Sequence, residues 1–325
     1  MKLLRRNFLD LALGAIVLSA APRNVMAINY PTRSVRILVG FAAGGASDIV
    51  ARLVAHSLSE RLGQQFIVEN RPGATGNIAT GEVVKAAPDG YTLLLVAPPN
   101  AINATLYPSP DFVFLRDIAL IASMTREPSV VVVHPLLPAN TVPEFIAYAR
   151  ANPSKVAMAS AGNGSASHLS GELFQMMAGI KLVHVPYRGG GPALADLLSG
   201  QVQAMFANMT ASIGHATSGK LRALAVTSAT RSDLLPDIPS ISEFLPGYEA
   251  SSVYGIGAPR DTPLNIIIQL NREINASLAE PRLKAQITAM GSSVFLGSPT
   301  EFASLFASET RKWAGVIKSS GVQAE

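Results

Sequence analysis

From Val35 onward the chain alternates short, nearly unbroken apolar runs with longer stretches in which apolar residues return at helical spacing. "VRILVGF" (35–41), "FIVEN" (66–70) and "TLLLVAP" (92–98) have strand length and little polar interruption, the pattern of parallel strands covered on both faces. Between them Asp48–Leu62 and Asn77–Ala87 read as helices, the second stopped by Pro88, Asp89 and Gly90. Strand, helix, strand, helix, strand is the first half of a doubly wound sheet.

The pattern restarts at "SVVVVHP" (129–135) and passes into a helix at "TVPEFIAYAR" (141–150). Asn140 and Thr141 supply capping chemistry there, and Pro143 sits in the first turn, where a missing N–H costs nothing. Strands follow at "KVAMASA" (155–161), "LVHVPY" (182–187), "VQAMFAN" (202–208) and "LRALAVTS" (221–228). A second α/β unit therefore runs from about Pro128 to Pro246. After it come "SSVYGIGAP" (251–259), helices over Pro263–Ala279 and Pro281–Met290, a short strand "SVFLG" (293–297) and a helix over Pro299–Lys318. Proline-rich joins at 106–112 and 234–248 flank the second unit. The expected architecture is two α/β lobes, the C-terminal elements returning to the first.

The N-terminus changes how the rest is counted. Lys2, Arg5 and Arg6 precede an apolar run over Leu11–Ala21, and Val25 and Ala27 fit small-residue cleavage, so residues 1–27 read as an export signal. The run is too short to span a bilayer, which takes about 20 residues. "RRNFL" resembles a twin-arginine motif, and both that route and the general secretory route stay open. Removing Lys2, Arg5, Arg6, Arg23 and Asp10 with the signal lowers the formal charge from +4 to +1. A chain so near neutral has no electrostatic footprint for nucleic acid. With 0 cysteines there is no disulfide, thiolate nucleophile or sulfur-ligated zinc. No HExxH occurs and the five histidines never fall at i and i+4, so no metal or other cofactor is expected.

Candidate chemistry centres on "FAAGGASD" (41–48), a glycine turn between strand and helix. Such a turn presents free N–H groups and the positive end of a helix dipole, which suits an anion. No lysine followed by Ser or Thr completes a P-loop, and the spacing is not GxGxxG, so a carboxylate fits better than a nucleotide. "GHATSGKL" (214–221) satisfies GxxxxGK, but Leu221 begins a strand, and Gly219 reads as a helix C-cap. In "SAGNGSASHLSGELF" (160–174), Ser165 and His168 invite a hydrolase reading, yet GxSxG is absent. The simpler role is a second anion-binding helix start. Tyr187 and Asn208 fall at the carboxyl ends of strands, where doubly wound folds bind ligands, and Arg188 offers a bidentate carboxylate contact or an ordinary surface charge.

These segments occur together and in order: "YPTRSVRILVGFAAGGASDIVAR", "VENRPGATGNIATGEVVKAAPDGYTLLL", "SAGNGSASHLSGELF", "HVPYRGGGPALADLLSGQVQAMFAN" and "SGKLRALAVTS". The chain thereby resembles the Bug family, the tripartite tricarboxylate transporter substrate-binding proteins. That resemblance implies a monomeric periplasmic receptor of the two-lobed periplasmic binding protein fold (type II-like), each lobe a doubly wound, mainly parallel sheet. It also implies that lobe 1 is 28–127 plus 247–325 and lobe 2 is 128–246. The implied activity is capture of a small carboxylate (a di- or tricarboxylate, acidic amino acid or aromatic acid) between the lobes, and delivery to a tripartite tricarboxylate membrane permease, without catalysis. Matched by motif, Phe41, Ala42, Gly45, Ser47 and Asp48, with Thr75, Gly76 and Asn77, form one half of the site. Ser160, Ala161, Ser165 and His168, with Tyr187, Arg188 and Asn208, form the other. Ala42 or Ala43 stands where the family usually has proline, and Ala207 where an acidic residue often precedes the asparagine. A secreted α/β hydrolase using Ser165 and His168 is the competing reading.

Overall fold

The structure, a computed structural model, describes residues 30–323 apart from Gly45, Pro110 and Arg188, with Thr210 described in its backbone alone. The expected signal segment, 1–27, lies outside the described residues. The chain divides into units 1–32 and 33–325; in the first, the Tyr30–Pro31 peptide is cis. All that follows concerns the second.

Its first stretch runs β1 (Val35–Val39), α1 (Ala46–Leu62), β2 (Phe66–Asn70), a 3-10 turn over Ala74–Gly76, α2 (Asn77–Val84), β3 (Thr92–Val96), α3 (Pro98–Leu106), α4 (Phe114–Asp117) and β4 (Ile118–Glu127). The middle stretch is β5 (Ser129–Val133), α5 (Val142–Ala151), β6 (Ala157–Ser160), α6 (Ala166–Ala178), β7 (Val183–Pro186), α7 (Gly190–Leu198), β8 (Ala204–Asn208), α8 (Met209–Thr217) and β9 (Arg222–Val226). The last is β10 (Ser252–Pro259), α9 (Leu264–Ala279), α10 (Pro281–Ala289), β11 (Ser293–Val294) and α11 (Pro299–Ser320). Local chemistry agrees with these limits. Thr141 Oγ1 caps α5 by accepting from Glu144 N at 3.3 Å, and Ser298 and Glu301 form a reciprocal capping box at the start of α11.

Two sheets result, ordered β11-β4-β10-β3-β1-β2 and β7-β6-β8-β5-β9. β1 to β4 share one direction and β6 to β9 share another, while β10, β11 and β5 run against their neighbours. β5 and β10 are the strands that follow the two crossings between the sheets. The apolar runs of β1, β3 and β5 are buried on both faces as their sequence implies, but β2 and β7 lie at sheet edges and are half open to solvent.

The apolar pattern gives no strand at 118–127 and no helix at 98–106, yet β4 is the partner of both β10 and β11. β4 is buried on both faces, so it shows no alternation, and only Pro128 separates it from β5. The polar sequence of α3 hides its role because Asn100 and Asn103 are buried and hydrogen-bonded rather than solvated. The helix expected to reach Ala87 ends at Val84, and the strand expected over 293–297 is confined to Ser293–Val294.

Thr227 ties the two crossings together. Its hydroxyl accepts from Ser129 N at 2.8 Å and donates to Ala250 O at 3.0 Å. Its amide donates to Ser129 O and its carbonyl accepts from Ala250 N, both at 2.9 Å. The side chain is wholly buried. Arg126 Nη1 adds an ion pair to Glu249 Oε1 at 2.7 Å, again from one crossing to the other. The long α11 packs on α3 and β4 of the first sheet and on α6 of the second, so one apolar core runs through both, from Phe302, Phe306 and Trp313 to Phe145 and Phe174.

Thr227→Val keeps the shape and removes the hydroxyl, leaving a buried N–H and a buried carbonyl short of a partner. A loss of about 1–3 kcal/mol in urea unfolding is expected, with Thr227→Ser close to wild type. Equal stability of the valine variant contradicts the proposed tie.

Candidate functional site

The turn after β1 is built by close backbone approach. A Cβ added to Gly40 falls 2.6 Å from Gly76 Cα, so the first glycine turn and the segment before α2 touch through bare backbone. Gly44, at φ +85, opens the way into α1. Asp48, 3% exposed, reaches back from the first turn of α1: Oδ2 accepts from Gly44 N at 2.9 Å, and Oδ1 accepts from Asn70 Nδ2 at 2.9 Å. Asn70 Nδ2 also donates to Phe41 O, and Arg52 pairs with the same carboxylate. Burial alone raises the Asp48 pKa, but the bonds from Arg52, Gly44 N–H and Asn70 outweigh it and bring it down to about 2. The Asp48 carboxylate is therefore spent on holding the turn.

Thr75, Gly76 and Asn77 lie behind that turn. Ala74 and Thr75 take left-handed φ of 45° and 51°, conformations that cost non-glycine residues energy unless their surroundings fix them. The fixing groups come from α3: Asn103 Nδ2 donates to Thr75 O at 2.9 Å and to Asn77 Oδ1 at 3.0 Å. Asn100 Nδ2 donates to Thr80 Oγ1, which donates in turn to Gly76 O. Asn77 Nδ2 is used by Tyr107 O. Sequence reasoning missed this asparagine pair; their i, i+3 spacing in an otherwise apolar and small-residue helix was the available signal.

In the second sheet, Ser160 ends β6 and is wholly buried, its hydroxyl 2.6 Å from His184 Nε2. The His184 ring stacks on His168 at 3.6 Å, with the planes 5° apart. Burial, followed by the His168 neighbour, pushes the His184 imidazole down to about 4, so it is neutral at pH 7. Ser165 caps α6 and donates to Gly162 O at 2.6 Å, while His168 Nδ1 accepts from Gly164 N at 3.1 Å and its Nε2 lies 3.5 Å from Glu172. The hydrogen bonds of Ser165 thus go to Gly162, to Ser167 and to the backbone amide of His168. Tyr187 follows β7, and its hydroxyl donates to Asp196 on α7 at 2.7 Å; burial and that carboxylate push its pKa up to about 12.

A cavity of about 390 Å³ lies between the two sheets. From the first come Gly44, Ala46 and Ile49, at the start of α1. From the second come Ala161, Gly190 and Gly191 at the start of α7, and Asn208 and Ala211 at the start of α8. Three helices therefore direct their N-terminal ends at one space, which favours negative charge without any mobile cation. Glu127, at the β4–β5 crossing, is the single charged side chain among the described lining residues. Of the expected site residues, Ala161 and Asn208 line the cavity. Phe41, Ala42, Ser47 and Asp48 belong to the turn at its edge; Thr75, Gly76 and Asn77 brace that turn; Ser160, Ser165, His168 and Tyr187 shape the loops behind Ala161 and α7. Gly45 and Arg188 lie outside the described residues. Sequence reasoning took α6 as the facing helix start, whereas α7 and α8 present theirs; the glycine run at 189–191 and Asn208 carried that signal.

The family model for "Tripartite tricarboxylate transporter family receptor" matches residues 50–322. Protein BugT of Bordetella pertussis is 38% identical over 307 residues, covering 94% of each chain. The solved structure of R. palustris Rpa4515 with adipate is similar at 36% identity and TM-score 0.81, covering 91% of this chain and 100% of that one. MatC from Rhodopseudomonas palustris with bound malate is 31% identical, with TM-score 0.76 and coverage of 89% and 100%. Both the fold class and the family resemblance read from the sequence stand.

The low pKa of Asp48 carries a pH signature. Its folded value lies below the ordinary 3.8, so its contribution to stability is complete above about pH 4 and is lost as the pH falls toward 2. Asp48→Asn is expected to cost roughly 2 kcal/mol at pH 7 in urea unfolding, the gap closing between about pH 4 and pH 2. A gap that is constant over that range contradicts an ionised Asp48 as the brace.

Proposed function

The chain belongs to the tripartite tricarboxylate transporter family receptors, and from that premise we propose that it captures a small carboxylate between its lobes and delivers it to a membrane permease. The observation that carries this reading is the convergence of the α1, α7 and α8 N-termini, drawn from both sheets, on one cavity. Dipoles and amides neutralise a carboxylate there, and their placement on separate sheets makes the ligand the bridge.

On this reading the moving units are 28–127 with 247–325 and 128–246, joined at the crossings beside Pro128 and Ala250. The ligand contacts are the backbone amides at Ala42, Gly45 and Ser47, and the groups at Ala161, Arg188 and Asn208. Phe41, Asp48, Thr75, Gly76, Asn77, Ser160, Ser165, His168 and Tyr187 hold those contacts in place. The protein acts as a monomer in the periplasm after cleavage near Ala27, and its partner is a tripartite tricarboxylate permease. The family is one of solute-binding receptors, and the bonds made by Ser165 and His168 support a structural role for both, with no catalysis. Ala42 and Ala43, in place of the proline usual in the family, leave the turn freer to adjust to a ligand.

Thermal unfolding against di- and tricarboxylates, acidic amino acids and aromatic acids tests the reading. A true ligand at 100 times its dissociation constant adds about 2.7 kcal/mol of stability. Ser165→Ala is expected to cost about 1 kcal/mol through the lost cap while binding persists. No stabilisation by any member, together with ester turnover abolished by Ser165→Ala, contradicts the receptor reading in favour of the hydrolase.

A further inference from the structure

For a space ringed by helix N-termini, the cavity has one unexpected wall residue. Glu127 is the last residue of β4, 2% exposed, and separated from β5 by Pro128 alone. A carboxylate so placed opposes a second carboxylate and attracts a donor. Its surroundings on β4 and β10 supply no cation among the described residues on that face. Thr125 shares the face with Glu127, and Ser252 and Tyr254 are the residues paired with Glu127 and Thr125 across the strands. Thr125 Oγ1 is fully buried and has no hydrogen-bond partner among the described residues. The Tyr254 phenol is held above its ordinary pKa by burial and then by the charge of Glu127. Buried polar groups of this kind are ordinarily satisfied by protein, water or ligand.

The cavity consequently has two poles: amide groups at the helix starts for an anion, and Glu127 for a hydrogen-bond donor. An unsubstituted carboxylate satisfies the first and leaves the second facing hydrocarbon or a like charge. A carboxylate that also carries a hydroxyl or ammonium group satisfies both. We propose that Glu127 is a ligand-binding residue that selects donor-bearing carboxylates, hydroxy or amino acids, over their unsubstituted parents. The inference rests on the carboxylate-receptor reading and narrows it. Because Glu127 adjoins a crossing, a donor bound to it also links ligand to the segment that turns when the lobes close.

The test is calorimetric binding in two matched series: succinate, malate and aspartate, and 4-methylpentanoate, its 2-hydroxy derivative and leucine. In at least one series the wild type is expected to favour the hydroxy or amino member over the parent by about tenfold or more, as for a hydrogen bond to a charged group. Glu127→Gln is expected to cut that ratio by about tenfold, and Glu127→Asp to keep its sign. A hydroxy preference and an amino preference separate the two sources of the donor. Parent acids that bind as tightly as their derivatives overturn the inference even without a folded variant, as does an unchanged ratio in Glu127→Gln; the receptor reading survives both. Absence of binding by all six removes the receptor reading for these acids and this inference with it.

Discussion

The two halves of the cavity exist as a pair only because the Thr227 hydroxyl holds both chain crossings. One sheet carries the start of α1 and the other carries the starts of α7 and α8, so their spacing depends on the segments at 127–129 and 249–251. Thr227 bonds to Ser129 and Ala250 with both its backbone and its side chain. A tie at a single buried residue permits rotation about the crossings while preventing their separation. Hinge closure needs both properties.

Around that tie, the structure invests its polar groups in rigid turns rather than in charges aimed at a ligand. Asp48, Asn70, Asn100 and Asn103 each hold backbone on the α1 side, and Ser160, Ser165 and His168 do so on the α6 side. Among the described lining residues no arginine, lysine or histidine enters the cavity. Fixed amides bind an anion without reorganising, and a site free of mobile cations releases its ligand when the halves part. The same arrangement gives Glu127 unusual leverage, because no cation among the described lining residues sets itself against its charge.

Much of the fold is legible in the sequence because its strands are covered on both faces and its helices carry caps and proline starts. Thr141, Ser298 and the glycines at 200 and 219 sit where their chemistry predicts. What escapes is whatever tertiary pairing decides. β4 is buried on both faces and runs into β5 across one proline, so neither alternation nor a turn marks it; Glu127 is hidden with it. α3 buries asparagines, which composition reads as solvated. The glycine turn at 41–48 is recognisable as an anion-seeking helix start, but which helix faces it depends on sheet order. Ser165 and His168 illustrate the same limit: three residues apart in sequence, they are joined through the serine cap on the histidine's amide, while the imidazole accepts from Gly164.

The central claim is that a carboxylate bridges helix starts on both sheets. A crystal structure of the protein with the carboxylate that most raises its unfolding temperature tests this directly. The account predicts ligand oxygens within hydrogen-bond distance of backbone amides at the start of α1 and at the start of α7 or α8, in one cavity. A ligand held by one sheet alone, or bound outside the space between them, contradicts it.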